Sequence, residues 1–316
     1  MMIERITDKN SNERRVVWKA LRASLELSHY KYKRSGRKSR SHWNFFEKLL
    51  YLFECFLKLG DLYEKGIRNA SQVSVVRKTL KFSNLPTAFD GFTILHLTDL
   101  HIDSIAGHEK QILKAVENLS YDVALFTGDY RKNISGAFSQ ILTPMKTLSA
   151  AMNPPYGKWA VLGNHDTYLM ADYEEDIGIR LLVNESVKFQ KDGQEIVITG
   201  TDDPFYYYSE QAMMALERPI EGFKIALVHT SELRDIAADN DYKLYLCGHT
   251  HGGQICLPNG KALLSHQYEG KETIAGLWYH QGMTGYTSRG CGVSGLPVRY
   301  NCPPEVTLFR LEKQKS

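Results

Sequence analysis

Six short runs, FTILHLTDLH, DVALFTGDY, KWAVLGNHD, EIVITGTDD, FKIALVHTS and YKLYLCGHTHGG, pass directly from apolar residues into Asp, Asn, His or Gly. Runs of that length, rich in Val, Ile, Phe, Leu and Tyr, read as strands, and helical patterns such as GHEKQILKAVENL lie between several of them. Strands alternating with helices predict an α/β domain. In such folds ligands collect outside the carboxyl ends of the strands, so the polar run ends are expected to converge on one place.

Taken singly, most of these endings carry little. DLH (Asp99, His101) and GDY (Asp129) arise readily by chance, and Asp after a strand is commonly a turn residue or a helix cap. GNHD (Asn164, His165, Asp166) says more, and GHTHGG more again. If the backbone stays extended, residues two apart share a side, so Asp99 with His101, and His249 with His251, would each present two donors together. Gly252 and Gly253 would then allow close backbone approach where a crowded centre excludes a Cβ. Imidazoles, carboxylates and an amide oxygen without a thiolate suit Mn²⁺, Fe²⁺, Co²⁺ or Zn²⁺. Cys247 and Cys256 flank the histidines without forming a CxxC pair and are assigned to packing.

In order, DLH, GD, GNHD, VH and GHTH resemble the motifs of the calcineurin-like metallophosphoesterase superfamily, over residues 92 to about 310. The tail GHTHGGQICLP, with SRGCG and CPPEVTLFRL, is similar to a bacterial branch that includes membrane-associated phosphodiesterases and the UDP-2,3-diacylglucosamine pyrophosphatase of lipid A synthesis. The resemblance implies a four-layer αββα sandwich with the site at one end of the sheets. It also implies two divalent metal ions, with Asp99, His101 and His251 on the first, Asn164, His229 and His249 on the second, and Asp129 bridging. Cations about 3.5 to 4 Å apart would clamp the attacking and leaving oxygens, with a bridging hydroxide as nucleophile. His165 would stand beside the metals as proton donor to the leaving group.

Other residues carry weaker readings. Arg289 in TSRGCG is a candidate substrate phosphate contact, with an ordinary loop arginine as the alternative. His229 alone would read as a hydrogen-bonded core histidine, and only its place between GNHD and GHTH changes this. Asp166 is read as an orienter or a cap, and His29, His42, His96, His108, His266 and His280 as structural or exposed. GDYRKN lacks the second Asp and the Arg-Gly found in protein serine/threonine phosphatases, and GNHD replaces their GNHE, which disfavours a phosphoprotein substrate.

Charge divides the chain. Residues 1–86 hold 19 Lys and Arg against 8 Asp and Glu, whereas residues 87–316 hold 20 against 28. With the change of texture at Pro86, this sets the expected boundary: a basic, partly helical N-terminal extension over residues 1–86 and a catalytic domain over 87–316. KYKRSGRKSR, residues 31–40, has six cations and no acid and precedes HWNFFEKLLYLFECFLKLG. There Trp43, Phe46, Leu50, Phe53 and Leu57 form an apolar stripe at helical spacing, widened by Phe45, Leu49 and Phe56. The stretch is too short and too charged to span a bilayer. Residues 31–59 suit an anionic membrane surface, while a helix packed on the main domain accounts for the stripe equally well.

Five cysteines, odd in number and widely spaced, do not read as a disulfide framework and predict a reducing compartment. No export signal is read near the start, where Lys19, Arg22 and Glu26 interrupt any apolar segment. The expected location is cytoplasmic, peripheral on the inner membrane. The leading expectation is a phosphoesterase cleaving a phosphodiester or pyrophosphate in a lipid-linked nucleotide such as UDP-2,3-diacylglucosamine, releasing UMP and lipid X. The alternatives are a soluble phosphodiesterase acting on nucleotides or nucleic acid, and a non-catalytic membrane-binding module, against which the complete donor set argues.

Overall fold

Alternation along the strand Thr93–Leu97 shows how the layers stack: Ile94 enters one apolar core, while Leu95 and Leu97 enter another on the opposite face. The computed structural model describes residues 2–6, 11–28, 41–263 and 271–314, apart from the side chains of residues 11, 28, 41–47 and 49. In chain order the strands are β1 (Met2–Ile6), β2 (Ser74–Phe82), β3 (Thr93–Leu97), β4 (Val123–Phe126), β5 (Lys158–Ala160), β6 (Arg180–Leu181), β7 (Glu185–Lys191), β8 (Gln194–Gly200), β9 (Phe223–Leu227), β10 (Tyr242–Cys247), β11 (Gly276–His280), β12 (Met283–Thr287) and β13 (Glu305–Lys313). The helices are α1 (Ser11–Ser28), α2 (Ser41–Lys58), α3 (Leu62–Ala70), α4 (His108–Val116), α5 (Leu142–Ala150), α6 (Glu174–Ile177), α7 (Glu210–Glu217) and α8 (Arg234–Asp239).

Two sheets form, one of seven strands in the order β1-β7-β8-β9-β10-β12-β11 and one of six in the order β2-β13-β3-β4-β5-β6. Between them lies a core of Ile94, Leu125, Trp159 and Phe309 from the six-stranded sheet against Phe189, Ile198, Ile225 and Leu246 from the other. On the outer face of the six-stranded sheet, Leu97, Phe126 and Leu181 meet Ile112 of α4, Leu148 of α5 and Ile177 of α6. Outside the seven-stranded sheet, Ala226, Tyr245 and Trp278 meet Leu216 of α7 and Ala237 of α8. This is the expected four-layer αββα sandwich. Because β3, β4 and β5 run parallel to one another, as do β9 and β10, the carboxyl ends within each set point one way.

The boundary expected at residue 86 does not divide the fold. β2 ends at Phe82 and is parallel to β13, which in turn is antiparallel to β3, so one sheet spans residue 86. The Leu80 and Phe82 side chains belong to the inter-sheet core, and the cations counted into a basic arm, Arg77 and Lys81, are the solvent-facing alternates of this edge strand. β1 likewise adds an antiparallel edge strand beside β7. The helical part of the expected extension is present as α1 to α3.

The apolar stripe of α2 proves to be divided. Leu50, Phe53 and the buried Leu57 pack on Leu296 and Val298 together with Tyr63 and Ile67, whereas Phe56, expected in the same stripe, is exposed with Tyr51, Leu52 and Leu59. The side chains of Trp43, Phe45, Phe46 and Leu49, and the whole cationic run of residues 31–40, lie outside the described residues. Among the described residues no helix is long and apolar enough to cross a membrane. All five cysteines are free, and Cys247, Cys256, Cys291 and Cys302 are buried.

Candidate metal centre

Five strands deliver the residues singled out above. β3 leads into Asp99 and His101, β4 into Asp129, β5 into Asn164 and His165, β9 into His229, and β10 into His249 and His251. The backbone does not stay extended through these endings, contrary to expectation. Asp99 (φ 49°), His101 (35°), Asp129 (59°), His249 (72°) and His251 (52°) all adopt the left-handed region. Each such non-glycine conformation costs on the order of 1–3 kcal/mol and persists only where its surroundings fix it. Here the amide of Asp99 donates to Gly128 O (2.9 Å), that of His101 to Asp129 O (3.0 Å) and that of Gly248 to His229 O (2.9 Å).

Two glycines make the approach possible. A Cβ on Gly163 would stand 2.2 Å from Asp129 Oδ1, and one on Gly248 would stand 2.2 Å from Asp99 Oδ2. Gly252 and Gly253, read from sequence as allowing close backbone approach at the centre, have another part. Both are left-handed, and a Cβ on Gly252 would meet Arg289 Cγ at 2.7 Å and Cys302 Sγ at 3.0 Å rather than the donor cluster.

The donors form two groups, Asp99 with His101 and His251, and Asp129 with His229 and His249; within each, one possible ligand atom per residue lies within 4.8 Å of the others. His249 and His251 therefore serve different groups. His101 Nε2 is 3.2 Å from His251 Nε2, and His251 Nε2 is 3.4 Å from Asp99 Oδ1. Asp129 Oδ2 stands between the groups, 3.3 Å from His229 Nε2 and 3.7 Å from His101 Nε2. Asn164 Oδ1 joins the second group, 3.1 Å from His229 Nε2 and 2.9 Å from His249 Nδ1.

Ring orientation and charge both fit a cation. His101 Nδ1 faces Arg131 O at 2.8 Å and His229 Nδ1 faces Thr127 O at 2.6 Å. A carbonyl only accepts, so each Nδ1 carries a hydrogen and each Nε2 is turned to the centre. Burial pushes Asp99 up to about 6 and His101 down to about 3, the latter with help from His165; burial and then His101 hold His251 well below its ordinary value. Burial alone would lower His229, yet Asp129 and then Asp99 lift it to about 10. Burial alone would raise Asp129, yet His229 and then His165 hold it well below the usual carboxylate range. The pocket therefore keeps a proton on a fully buried imidazole to balance its carboxylates, the place a divalent cation would take.

A sequence profile described as Calcineurin-like phosphoesterase matches residues 92–253. The chain belongs to that family. This metallophosphoesterase is 32% identical over 255 residues to the uncharacterized metallophosphoesterase YkuE of Bacillus subtilis (strain 168), covering 76% of this chain and 86% of that protein. It is 30% identical over 238 residues to the phosphodiesterase YaeI of Escherichia coli (strain K12), covering 70% and 82%. Among solved structures it is similar to Haemophilus influenzae NAD nucleotidase, with a TM-score of 0.42 and 16% identity over 63% of this chain and 50% of that one.

His165 lies at the rim of the phosphoesterase centre. Its Nε2 is 3.9 Å from Asp129 Oδ2, its Nδ1 meets Lys132 O at 2.5 Å, and its ring stands edge-on to His101. Asp166 is the orienter: its carboxylate accepts from the amides of Asp129, Tyr130 and Gly163. Arg289 is turned elsewhere, its guanidinium paired with the buried carboxylate of Glu305. Of the histidines outside the motifs, His96 and His108 are buried and His280 pairs with Asp235 at 2.7 Å; His29, His266 and the side chain of His42 lie outside what the structure describes.

Three buried arginines escaped the sequence reading. Arg131 donates to the carbonyls of His165, Ile134 and Gly136, tying the GNHD turn to the loop after β4. Arg299 gathers the carbonyls of Arg289, Gly292, Cys302 and His251. Arg22 of α1 donates to Gly163 O (3.1 Å) and Asp166 O (3.0 Å), the two ends of the GNHD turn, while its ion pair with Asp202 and the face of Tyr207 hold the guanidinium. Only the R in GDYRKN stood beside a motif; the others had no local signal.

Proposed function

We propose that this metallophosphoesterase hydrolyses a phosphodiester or pyrophosphate bond at a centre of two divalent cations. The observation that carries the reading is the position of Asp129 Oδ2 between the two donor groups, within 4 Å of His101 and His229 alike. Bound there, such cations supply positive charge for both attacking and leaving oxygens and acidify a water. The chain's own residues would do the rest. Asp99, His101 and His251 would hold one cation, Asn164, His229 and His249 the other, and Asp129 both. His165, fixed through Nδ1 on Lys132 O, keeps Nε2 to pass a proton to the leaving oxygen.

A diester or pyrophosphate in a lipid-linked nucleotide is the substrate class we favour, with UDP-2,3-diacylglucosamine, cleaved to UMP and lipid X, as the specific candidate. Two observations support it. The exposed Tyr51, Leu52, Phe56 and Leu59 of the α2 segment, with exposed Lys48 and Lys58 and the cationic residues 31–40 before them, suit the surface of an anionic bilayer on the cytoplasmic side. α2 is also tied to the segment that carries Arg299, whose guanidinium meets the carbonyl of His251: Leu57 packs on Leu296 and Val298. The name of YaeI supports diester over monoester cleavage.

The test is hydrolysis by metal-reconstituted protein of bis-p-nitrophenyl phosphate, p-nitrophenyl phosphate and a lipid-linked UDP-sugar, the last followed by UMP release. Turnover of the diester above the monoester is expected, with UMP release stimulated by anionic vesicles. Cleavage of the monoester alone overturns the diester reading; absence of UMP removes the nucleotide lipid. If nucleotides are cleaved equally well without vesicles, the soluble alternative stands.

A further inference from the structure

We infer that the groove between α1 and α7 is a second binding site, for a small organic phosphate with an apolar portion, separate from the metal centre. The groove holds about 460 Å³, within the usual range for small-molecule sites. Four arginines line it from three separate segments: Arg5 of β1, Arg14 and Arg15 of α1, and Arg218 just after α7. Against them stand Glu185 and Glu217 in the wall and Glu174 behind it, which pairs with Arg5 and Arg15. Among the lining side chains positive charge exceeds negative by two. Burial lowers Arg15 against the pull of Glu185, with a smaller push from the neighbouring Arg5.

The polar wall is built with donors to spare. Asn184 is 8% exposed and lines the groove; its Oδ1 accepts from the amide of Asp202 at 2.9 Å, which fixes the amide orientation, and its Nδ2 has no partner among the described residues. Arg5 Nε is likewise a buried donor with no hydrogen-bond partner among the described residues. Guanidinium groups and an amide N–H match the oxygens of a phosphate, which accept several hydrogen bonds at once. Trp18 and the 60%-exposed Met214 offer apolar surface beside them. The centre described above does not reach here: Trp18 donates to Asp202, whose carboxylate pairs with Arg22, and only Arg22 touches the GNHD turn.

The probe is phenylphosphonate, whose C–P bond resists hydrolysis, titrated calorimetrically into the full chain and into Asp129→Asn. Binding with a Kd below about 1 mM is expected in both, showing that it does not depend on catalysis or on an intact metal centre. Because Met214 is exposed, substitutions there shift the charge of the groove by one unit in either direction without touching the core: Met214→Asp weakens binding about fivefold and Met214→Lys strengthens it by a similar factor. Equal affinity in the two Met214 variants, loss of binding in Asp129→Asn, or no heat with the unaltered chain would each overturn the inference. None of these outcomes bears on whether the metal centre hydrolyses phosphate esters.

Discussion

The backbone amide of His249 rests on the carboxylate of Asp99, 3.1 Å from Oδ1 and 2.9 Å from Oδ2. A carboxylate of the first donor group thus holds the loop that supplies the second. The same Oδ1 is 3.4 Å from His251 Nε2, so one side chain governs where both histidines of GHTH stand.

Replacing Asp99 with Ala should therefore deplete metal from both groups rather than one. Elemental analysis of the purified variant is expected to find less than half the metal of the unaltered chain, with kcat/KM down by about a hundredfold or more. Asp99→Asn keeps an oxygen for the amide of His249 but not the charge, and should fall between. Unchanged metal content in Asp99→Ala would separate the two groups and refute this coupling.

For His165 the leaving group is the diagnostic. As proton donor it should matter most for an alkoxide, so His165→Asn is expected to lower kcat by about 10² to 10⁴ on an alkyl diester and by much less on a nitrophenyl diester. A loss equal on both would assign His165 to charge stabilisation or positioning instead.

Arg22 is 1% exposed and Asp202 is 2% exposed, so Arg22→Met leaves a carboxylate buried without its counter-charge. Removing one partner of such a pair costs about 3–5 kcal/mol. Urea unfolding should report a loss of that order, partly restored in the double variant Arg22→Met/Asp202→Asn. A loss below about 1 kcal/mol would show that α1 contributes little to holding the turn.

Acid stability should carry the mark of His96. Fully buried, with Nε2 against Thr127 Oγ1 at 2.8 Å, it is pushed by burial down to about 3. Between that value and the ordinary 6.5 the unfolded chain binds a proton here and the folded chain does not. Its contribution is therefore present above pH 6.5 and is lost as the pH falls through that window, by up to about 1.4 kcal/mol per unit. Unfolding titrations at several pH values should give a shallower slope for His96→Gln than for the unaltered chain, since contributions from the histidines of the two donor groups are common to both. Parallel slopes would contradict the assignment.

The donors of the centre were legible because each closes a strand whose apolar composition is unambiguous: Asp129 follows VALF and His249 follows YKLYLC, and composition alone brings such ends together in an α/β sheet. What could not be read was the left-handed turn at Asp99 or His251, since it is imposed by amides and carbonyls from other loops rather than by local preference. β2 and β13 were missed for a different reason. In SVVRKTLKF and EVTLFRLEK the charged residues alternate with the apolar ones, and a basic count over residues 1–86 absorbed Arg77 and Lys81 into an arm. Arg22 was read as an interruption of an apolar segment; its partners, Asp202 and the carbonyl of Gly163, are more than a hundred positions away and leave no trace nearby.

The central place of β13 bears on how the protein is made. A nascent chain that has emerged as far as residue 304 possesses β2 and β3 but not the strand that joins them, and the Glu305 carboxylate that receives Arg289 and Tyr286 is still to come. Sequence-distant pairing of this sort delays completion of the six-stranded sheet until β13 has emerged and leaves apolar edges open meanwhile. A chain stopped before residue 305 would thus lose the strand that joins β2 to β3, not merely a surface turn.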